Sequence, residues 1–410
     1  MNLDPCPSNM VEMYMFASFT PTHLAALSSL ALFSQDSSAQ ETITQAESLQ
    51  QTQIKGLLVV KLDNGSFAGA ASQMNATAVK KDSGFEIGFN QSVGTMMTKA
   101  TTEVDKFIRV RHADKLPSGM RIEFSFADKY SPKDGPSAAV VCALMADSII
   151  SGKEIDPGFA ATGDMTATGA VQPVGGVASK IKGAIRKKCT HVGIPEANKS
   201  SITDAYLLQG IKPLFQIQVF TLKTFEQASH LASVKRPGDV QKALDEFALV
   251  QSALQKNKKY IYNGKVRSKL RNIVKLTPNH LSARLLYLHS VKKAPKKLSL
   301  LGSLTGIDNA GGKLGSMLQD GSFMKPGSLG DDVLTDLVYE LSRLRPMLDD
   351  RTRRYADSYL DIANFFKRHR DRNRINAQLS RELKTLVAAI GIERKKLLNN
   401  PEIREELMDN

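Results

Sequence analysis

The apolar positions of this chain change character part-way along it. The run from Ile54, Ile-Lys-Gly-Leu-Leu-Val-Val-Lys-Leu62, reads as a buried strand, and the glycine-rich 63–72 as a turn or a second, edge strand. From Val93 onward Met96, Met97, Ala100, Val104, Phe107 and Ile108 recur on the helical period and mark a helix with one apolar face. Ile122, Phe124 and Phe126 alternate as in a half-buried strand. A loop with proline and glycine at 131–136 leads into an apolar helix, 137–151, closed by Gly152. Short units follow: strands 158–162, 191–194 and 215–220, and helices 178–188, 200–208 and 224–233. Strands and helices mixed this irregularly exclude a TIM barrel and predict an α+β or α/β domain.

Past Arg236-Pro-Gly-Asp no strand pattern survives, and an all-α region is predicted to the end of the chain. Around Pro278 one helix ends at Leu-x-Pro-Asn and another starts at Ala. The pair resembles a tetratricopeptide hairpin, although it has no second copy. Residues 302–330 hold eight glycines and read as a flexible loop. The expected organisation is a leader and linker over 1–53, an α+β domain over 54–235 and a helical domain over 236–410.

Apolar residues make up 42% and charged residues 23%, which excludes wholesale disorder. Three cysteines exclude a disulfide framework and a four-cysteine zinc site; Cys142 and Cys189 fall in helical apolar patterns and read as core. There is no HExxH and the histidines show no ligand spacing, so no metal or cofactor is expected. No run is long and apolar enough for a transmembrane helix. The segment from Leu24 to Phe33, followed by Ser37-Ser-Ala39, resembles a secretory signal core with a cleavage site. No Lys or Arg precedes it, and export and a frayed cytosolic leader both stay open.

Candidate chemistry concentrates in two segments. The first is Pro132-Lys-Asp-Gly-Pro-Ser137-Ala-Ala, between a strand and a helix. Backbone N–H groups at a helix start have no intrahelical acceptor and can stabilise an oxyanion; Gly135, Ser137 and Ala138 are the candidates. A serine hydroxyl is a weak nucleophile and needs a base. The second segment runs from Ala161-Thr162-Gly-Asp164 to Gly169-Ala-Val-Gln-Pro-Val-Gly-Gly-Val-Ala-Ser-Lys180. Lys180 lies in the first turn of a helix beside Ile181, Ala184 and Ile185, where partly apolar surroundings favour its neutral form.

Together these motifs resemble the proteolytic domain of Lon proteases, over roughly 55–233. The resemblance implies that Ser137 is the nucleophile and that Lys180, 43 residues further on at the family's spacing, is its base. It implies that Thr162 supports the lysine and that Asp134 neutralises it at rest. Ile194-Pro-Glu-Ala-Asn198 resembles a family turn. The function implied is endopeptidase cleavage of unfolded or extended polypeptide through a Ser-Lys dyad, in a homo-oligomer that the family builds as a six-membered ring. The departures point to a divergent branch. Ala139 stands for a glycine, Asp164 for a glutamate, Gly-Gly-Val-Ala-Ser-Lys lacks the family's first lysine and glutamate, and Glu123 and Ser125 occupy the strand where histidines are frequent. The family's ATPase module has no counterpart motif. Gly-Lys-Ser/Thr occurs nowhere, and Gly306 to Lys313 has the wrong spacing for a P-loop. ATP-independent hydrolysis is therefore expected, with any unfolding motor a separate protein.

Three other readings compete. Gly135-Pro-Ser-Ala-Ala139 approximates an esterase elbow, which would need His191 or His230. The fold could serve as a non-catalytic substrate-binding or assembly module, against which stands the presence of both Ser137 and Lys180. Lys256, Lys258, Lys259, Lys265, Arg267, Lys269, Arg271 and Lys275, interleaved with Tyr260 and Tyr262, and a second cluster over 367–372, could bind nucleic acid. That is the weaker reading, because acidic residues interleave elsewhere in the helical region. The helical region itself is expected to recruit substrate or a partner protein, the basic stretch favouring acidic segments.

Overall fold

The computed structural model describes residues 50–61, 67–128, 133–319, 331–372 and 375–403; the leader and Cys6 lie outside this range. In chain order the elements are β1 (Gln51–Lys61), β2 (Phe67–Lys80), β3 (Phe85–Phe89), α1 (Thr95–Arg111), β4 (Met120–Phe126), α2 (Ala139–Ser151), β5 (Phe159–Ala161), β6 (Asp164–Met165), β7 (Val171–Gln172), α3 (Val177–Arg186), β8 (His191–Pro195), α4 (Lys199–Gln209), α5 (Lys212–Gln216), β9 (Gln218–Leu222) and α6 (Phe225–Ala232). Helices alone follow: α7 (Gly238–Lys256), α8 (Gly264–Leu276), α9 (Leu281–Ser290), α10 (Leu300–Gln319), α11 (Asp331–Leu344), α12 (Arg353–Arg368) and α13 (Ala377–Asn399). No helix among the described residues is long and apolar enough to cross a membrane.

The fold is α+β followed by all-α. A mixed sheet runs β3-β4-β2-β1-β5-β8-β9. Its β2 pairs antiparallel with β1 and β4, while β1, β5, β8 and β9 are parallel. The two halves meet at β1 and β5. On one face, α1, α2 and α6 pack over Met74, Phe124, Phe126 and Phe159; α2 is buried from Ala139 to Ile149, which explains its uniformly apolar sequence. On the other face lie α3, α4 and α5 together with α7, α8 and α9, sharing one core from Leu57 and Val192 to Phe247, Leu270 and Leu286. The helices α7, α8 and α9 thus complete the core of the sheet.

The α8–α9 connection also covers the outer edge of β9. Thr221 N–H donates to the Asn279 carbonyl at 2.9 Å, Asn279 Nδ2 to the Thr221 carbonyl at 2.9 Å, and Val219 N–H to Ser282 Oγ at 3.0 Å. His280, fully buried, packs its ring against Phe220 and Phe247, with centroids 4.2 and 4.5 Å away. A third core joins α10 to α13 through Leu304, Ile307, Leu341, Tyr355 and Phe366.

Several expectations need correction. The described part of the glycine-rich 63–72, from Phe67, is not an edge: it belongs to β2, which lies inside the sheet between β1 and β4. β1 begins at Gln51, inside the expected linker. The expected strand 215–220 is the end of a short helix, α5, and the start of β9. The expected loop over 302–330 is, as far as Gln319, the helix α10. Two of its glycines, Gly302 and Gly311, are points of close contact. A Cβ on Gly302 would stand 2.3 Å from the Asp204 carboxylate, and one on Gly311 2.3 Å from the Tyr359 ring. Gly306 and Lys313 are therefore helical.

Candidate active site

Three segments meet over the junction of β1 and β5. Ser137 lies in a short 3-10 turn, Pro136–Ala138, that feeds directly into α2. Gly135, just before it, has φ 106°, a conformation that a side chain resists and glycine adopts freely. Thr162 follows β5 and is fully buried. Lys180 stands in the first turn of α3 and is 3% exposed.

The threonine hydroxyl ties the other two together. Lys180 Nζ donates to Thr162 Oγ1 at 3.0 Å, and Thr162 Oγ1 donates to the Ser137 carbonyl at 3.2 Å. Since the hydroxyl proton goes to Ser137, the oxygen's lone pairs face Lys180. Gly163 N–H also donates to the Ser137 carbonyl, at 3.0 Å. Burial pushes Lys180 down from an ordinary 10.5 to about 8. Ser137 and Lys180 line one cleft of about 870 Å³, whose apolar wall includes Leu58, Val59, Val60, Met97 and Val174. Among the described residues β1 pairs with β5 only through Lys55 and Gly56, so Leu58, Val59 and Val60 line the cleft beyond that pairing.

Asp134 lines the same cleft as Lys180, and its bonds go to backbone amides. Its Oδ1 accepts N–H groups from Gly135 at 2.8 Å and Met97 at 3.1 Å, and these bonds hold its pKa below the ordinary carboxylate value. Gly94 N–H donates to the Lys133 carbonyl at 2.9 Å. Asp134 thus fastens the Ser137 loop to the start of α1, and the lowered pKa of Lys180 has burial as its cause. One further expectation changes: Gly135 N–H is engaged by Asp134, which leaves the Ser137 and Ala138 amides at the entrance to α2 as the oxyanion candidates.

The sequence did not reveal what seats α3. A Cβ on Gly69 of β2 would stand 1.7 Å from the Ser179 carbonyl oxygen and 2.7 Å from Lys180 N, and one on Gly183 2.7 Å from Ala70 N. The helix therefore rests on the bare backbone of β2, and that close approach sets the position of Lys180. Asn198, fully buried, accepts the Val174 N–H on Oδ1 at 2.9 Å and steadies the loop ahead of α3, which gives the Ile194–Asn198 turn a role here. His191, the first residue of β8, is buried, with Nε2 3.0 Å from the Leu231 carbonyl; burial lowers it to about 4. Neither His191 nor His230 lines the cleft, so the esterase reading has no base. Among the described residues no group of three or more His, Cys, Asp or Glu is placed to hold a metal ion.

This geometry coincides with a family-level match. Residues 35–223 match the Lon protease (S16) C-terminal proteolytic domain. That segment is similar to a Lon-type proteolytic domain. Similar proteins include a Lon protease of Desulfosudis oleivorans, 31% identical over 141 residues, covering 32% of this chain and 16% of that protein. A Lon protease of Salinispora arenicola is 34% identical over 134 residues, with the same two shares of 32% and 16%. An archaeal Lon protease of Thermoplasma volcanium is 27% identical over 201 residues, 48% of this chain and 30% of that protein. The chain therefore spans between 16% and 30% of the length of these three relatives. They support a Lon-like peptidase function. The helices from α7 onward lie beyond the matched segment, although α7 to α9 share its core.

Proposed function

We propose that the chain is a serine endopeptidase that cleaves extended polypeptide through Ser137 and Lys180, without nucleotide. The observation that carries this reading is the hydroxyl of Thr162, bonded at once to the Lys180 amine and the Ser137 carbonyl within one cleft. A neutral Lys180 gives one N–H to Thr162 and keeps its lone pair. That lone pair takes the Ser137 hydroxyl proton as the oxygen attacks the scissile carbonyl. The oxyanion forms against the Ser137 and Ala138 amides at the start of α2. The lysine, now charged, protonates the leaving amine, and an acyl-serine remains. Water that gives a proton to the same lysine then releases the acid. Substrate lies extended along the free side of β1 at Leu58–Val60, adding a strand to the sheet.

The test joins two measurements. A fluorophosphonate should label the serine of the peptide that carries Ser137, located by mass spectrometry. The labelling rate and casein cleavage should both rise with pH around a midpoint of about 8, because only the deprotonated Lys180 acts as base. Below the midpoint, each pH unit should cost about tenfold in kcat/KM. Label on another residue, or rates that do not depend on pH through this range, would dismiss the dyad. Added ATP and magnesium should leave peptide cleavage unchanged.

A further inference from the structure

Between Phe247 and Ile307 the chain has no aspartate or glutamate and thirteen lysines and arginines, nearly the whole net charge of +14. The structure gathers part of this charge at one place. The end of α7 with the turn after it carries Lys256, Lys258 and Lys259, and α8 opens with Lys265. The end of α9 is brought to the same spot by two bonds. Tyr262 Oη lies 3.1 Å from His289 Nε2, and Arg267 Nη2 donates to the Ser290 carbonyl at 3.2 Å. Lys292 has φ 58°, a left-handed position where glycine is least strained, and this bend closes α9 with Lys292 and Lys293 beside the others.

All six lysines are exposed, and among the described residues none makes an ion pair. Tyr260 and Tyr262 stand between them, about half exposed. A carboxylate that does reach α8, that of Glu246, bonds Asn272 towards the helix's other end. In the helical region the acidic residues lie on α7, up to Glu246, or from Asp308 onward, outside this basic stretch. A row of unpaired ammonium groups attracts any polyanion. Two exposed phenol rings among them add a surface on which bases stack and to which an acidic peptide offers nothing.

We propose that this corner, Lys256 to Lys265 with Lys292 and Lys293, binds the phosphate backbone of nucleic acid without regard to sequence. The full chain should bind a fluorescein-labelled oligothymidylate, read by anisotropy. With four to six lysines engaged, affinity should fall about 100-fold between about 50 and about 200 mM salt. Lys258→Glu/Lys259→Glu/Lys265→Glu should weaken binding by at least about tenfold at the lower salt and flatten the salt dependence. Lys395→Glu/Lys396→Glu on α13 should leave binding as it was. Circular dichroism melting confirms that both variants are folded. No binding at the lower salt would overturn the proposal, as would binding that the triple variant retains. Polyglutamate displacing the oligonucleotide at equal charge concentration would overturn it in favour of acidic protein as the partner.

Discussion

Lys180→Met should give a protein that is inactive and melts higher than the natural one. Peptide cleavage should fall by about 10³-fold or more, since the variant has no base for Ser137. Stability should move the other way. The folded state lowers Lys180 from 10.5 to about 8, so at pH 7 it carries a buried charge that the unfolded chain keeps in water. That costs roughly 3 kcal/mol. Methionine keeps the apolar stem and removes the charge. Losing the bond to Thr162 gives back about 1 kcal/mol, for a net gain of about 2 kcal/mol and a melting temperature roughly 2–5 °C higher. The sign carries a pH signature. Between about 8 and 10.5 the unfolded chain holds a proton that the folded one has lost, so the natural protein gains stability as pH rises. The advantage of Lys180→Met should therefore shrink across that window and vanish above it. A variant that melts lower at pH 7, or one that still cleaves, would contradict the assignment.

Gly69→Ala should be nearly as damaging to activity although Gly69 touches no substrate. Its new methyl would stand 1.7 Å from the Ser179 carbonyl oxygen, and backbone has no rotamer with which to give way. The helix α3 must lift off β2 by more than an ångström, carrying Lys180 from Thr162 Oγ1. A displacement of that size costs about 100-fold in rate, and opening the packed helix–strand contact about 2–4 kcal/mol. Gly391→Ala is the matched control. It lies inside α13 with nothing within 4 Å of the new methyl, and should stabilise the helix by up to about 1 kcal/mol. Thermal melts and casein assays of the two variants decide the matter. Full activity in Gly69→Ala would mean that the close approach does not position the base.

The sequence disclosed those features that depend on local pattern. Strand alternation at Ile122–Phe126, the apolar stripe of α1 and the Pro-Gly-Pro entry to α2 follow from neighbouring residues and could be read directly. What was missed depends on partners distant in sequence. β3 is five residues long and is held beside β4 by pairing, with too little pattern of its own. Gly302 and Gly311 of α10 look like loop residues until Asp204 and Tyr359 are seen pressed against them. Asp134 stood next to the nucleophile in sequence and was expected to serve its base, yet its carboxylate binds the amide of Met97, on another helix. Gly69 gave no signal, because close approach of two backbones leaves no mark but the absence of a side chain.

The seam between β9 and the α8–α9 connection has a consequence for the order in which the protein is made. A nascent chain that has reached only Arg236 presents β9 with its outer edge open and Phe220 without His280 and Phe247 against it. Such an edge pairs with whatever strand it meets. The sheet that carries Thr162 and the seat of Lys180 is finished only when the stretch from Asn279 to Leu286 has been synthesised and has docked. Completion of the sheet is thus timed by translation of residues some fifty positions beyond α6, and an interrupted product should emerge as an aggregating fragment rather than a folded α+β domain.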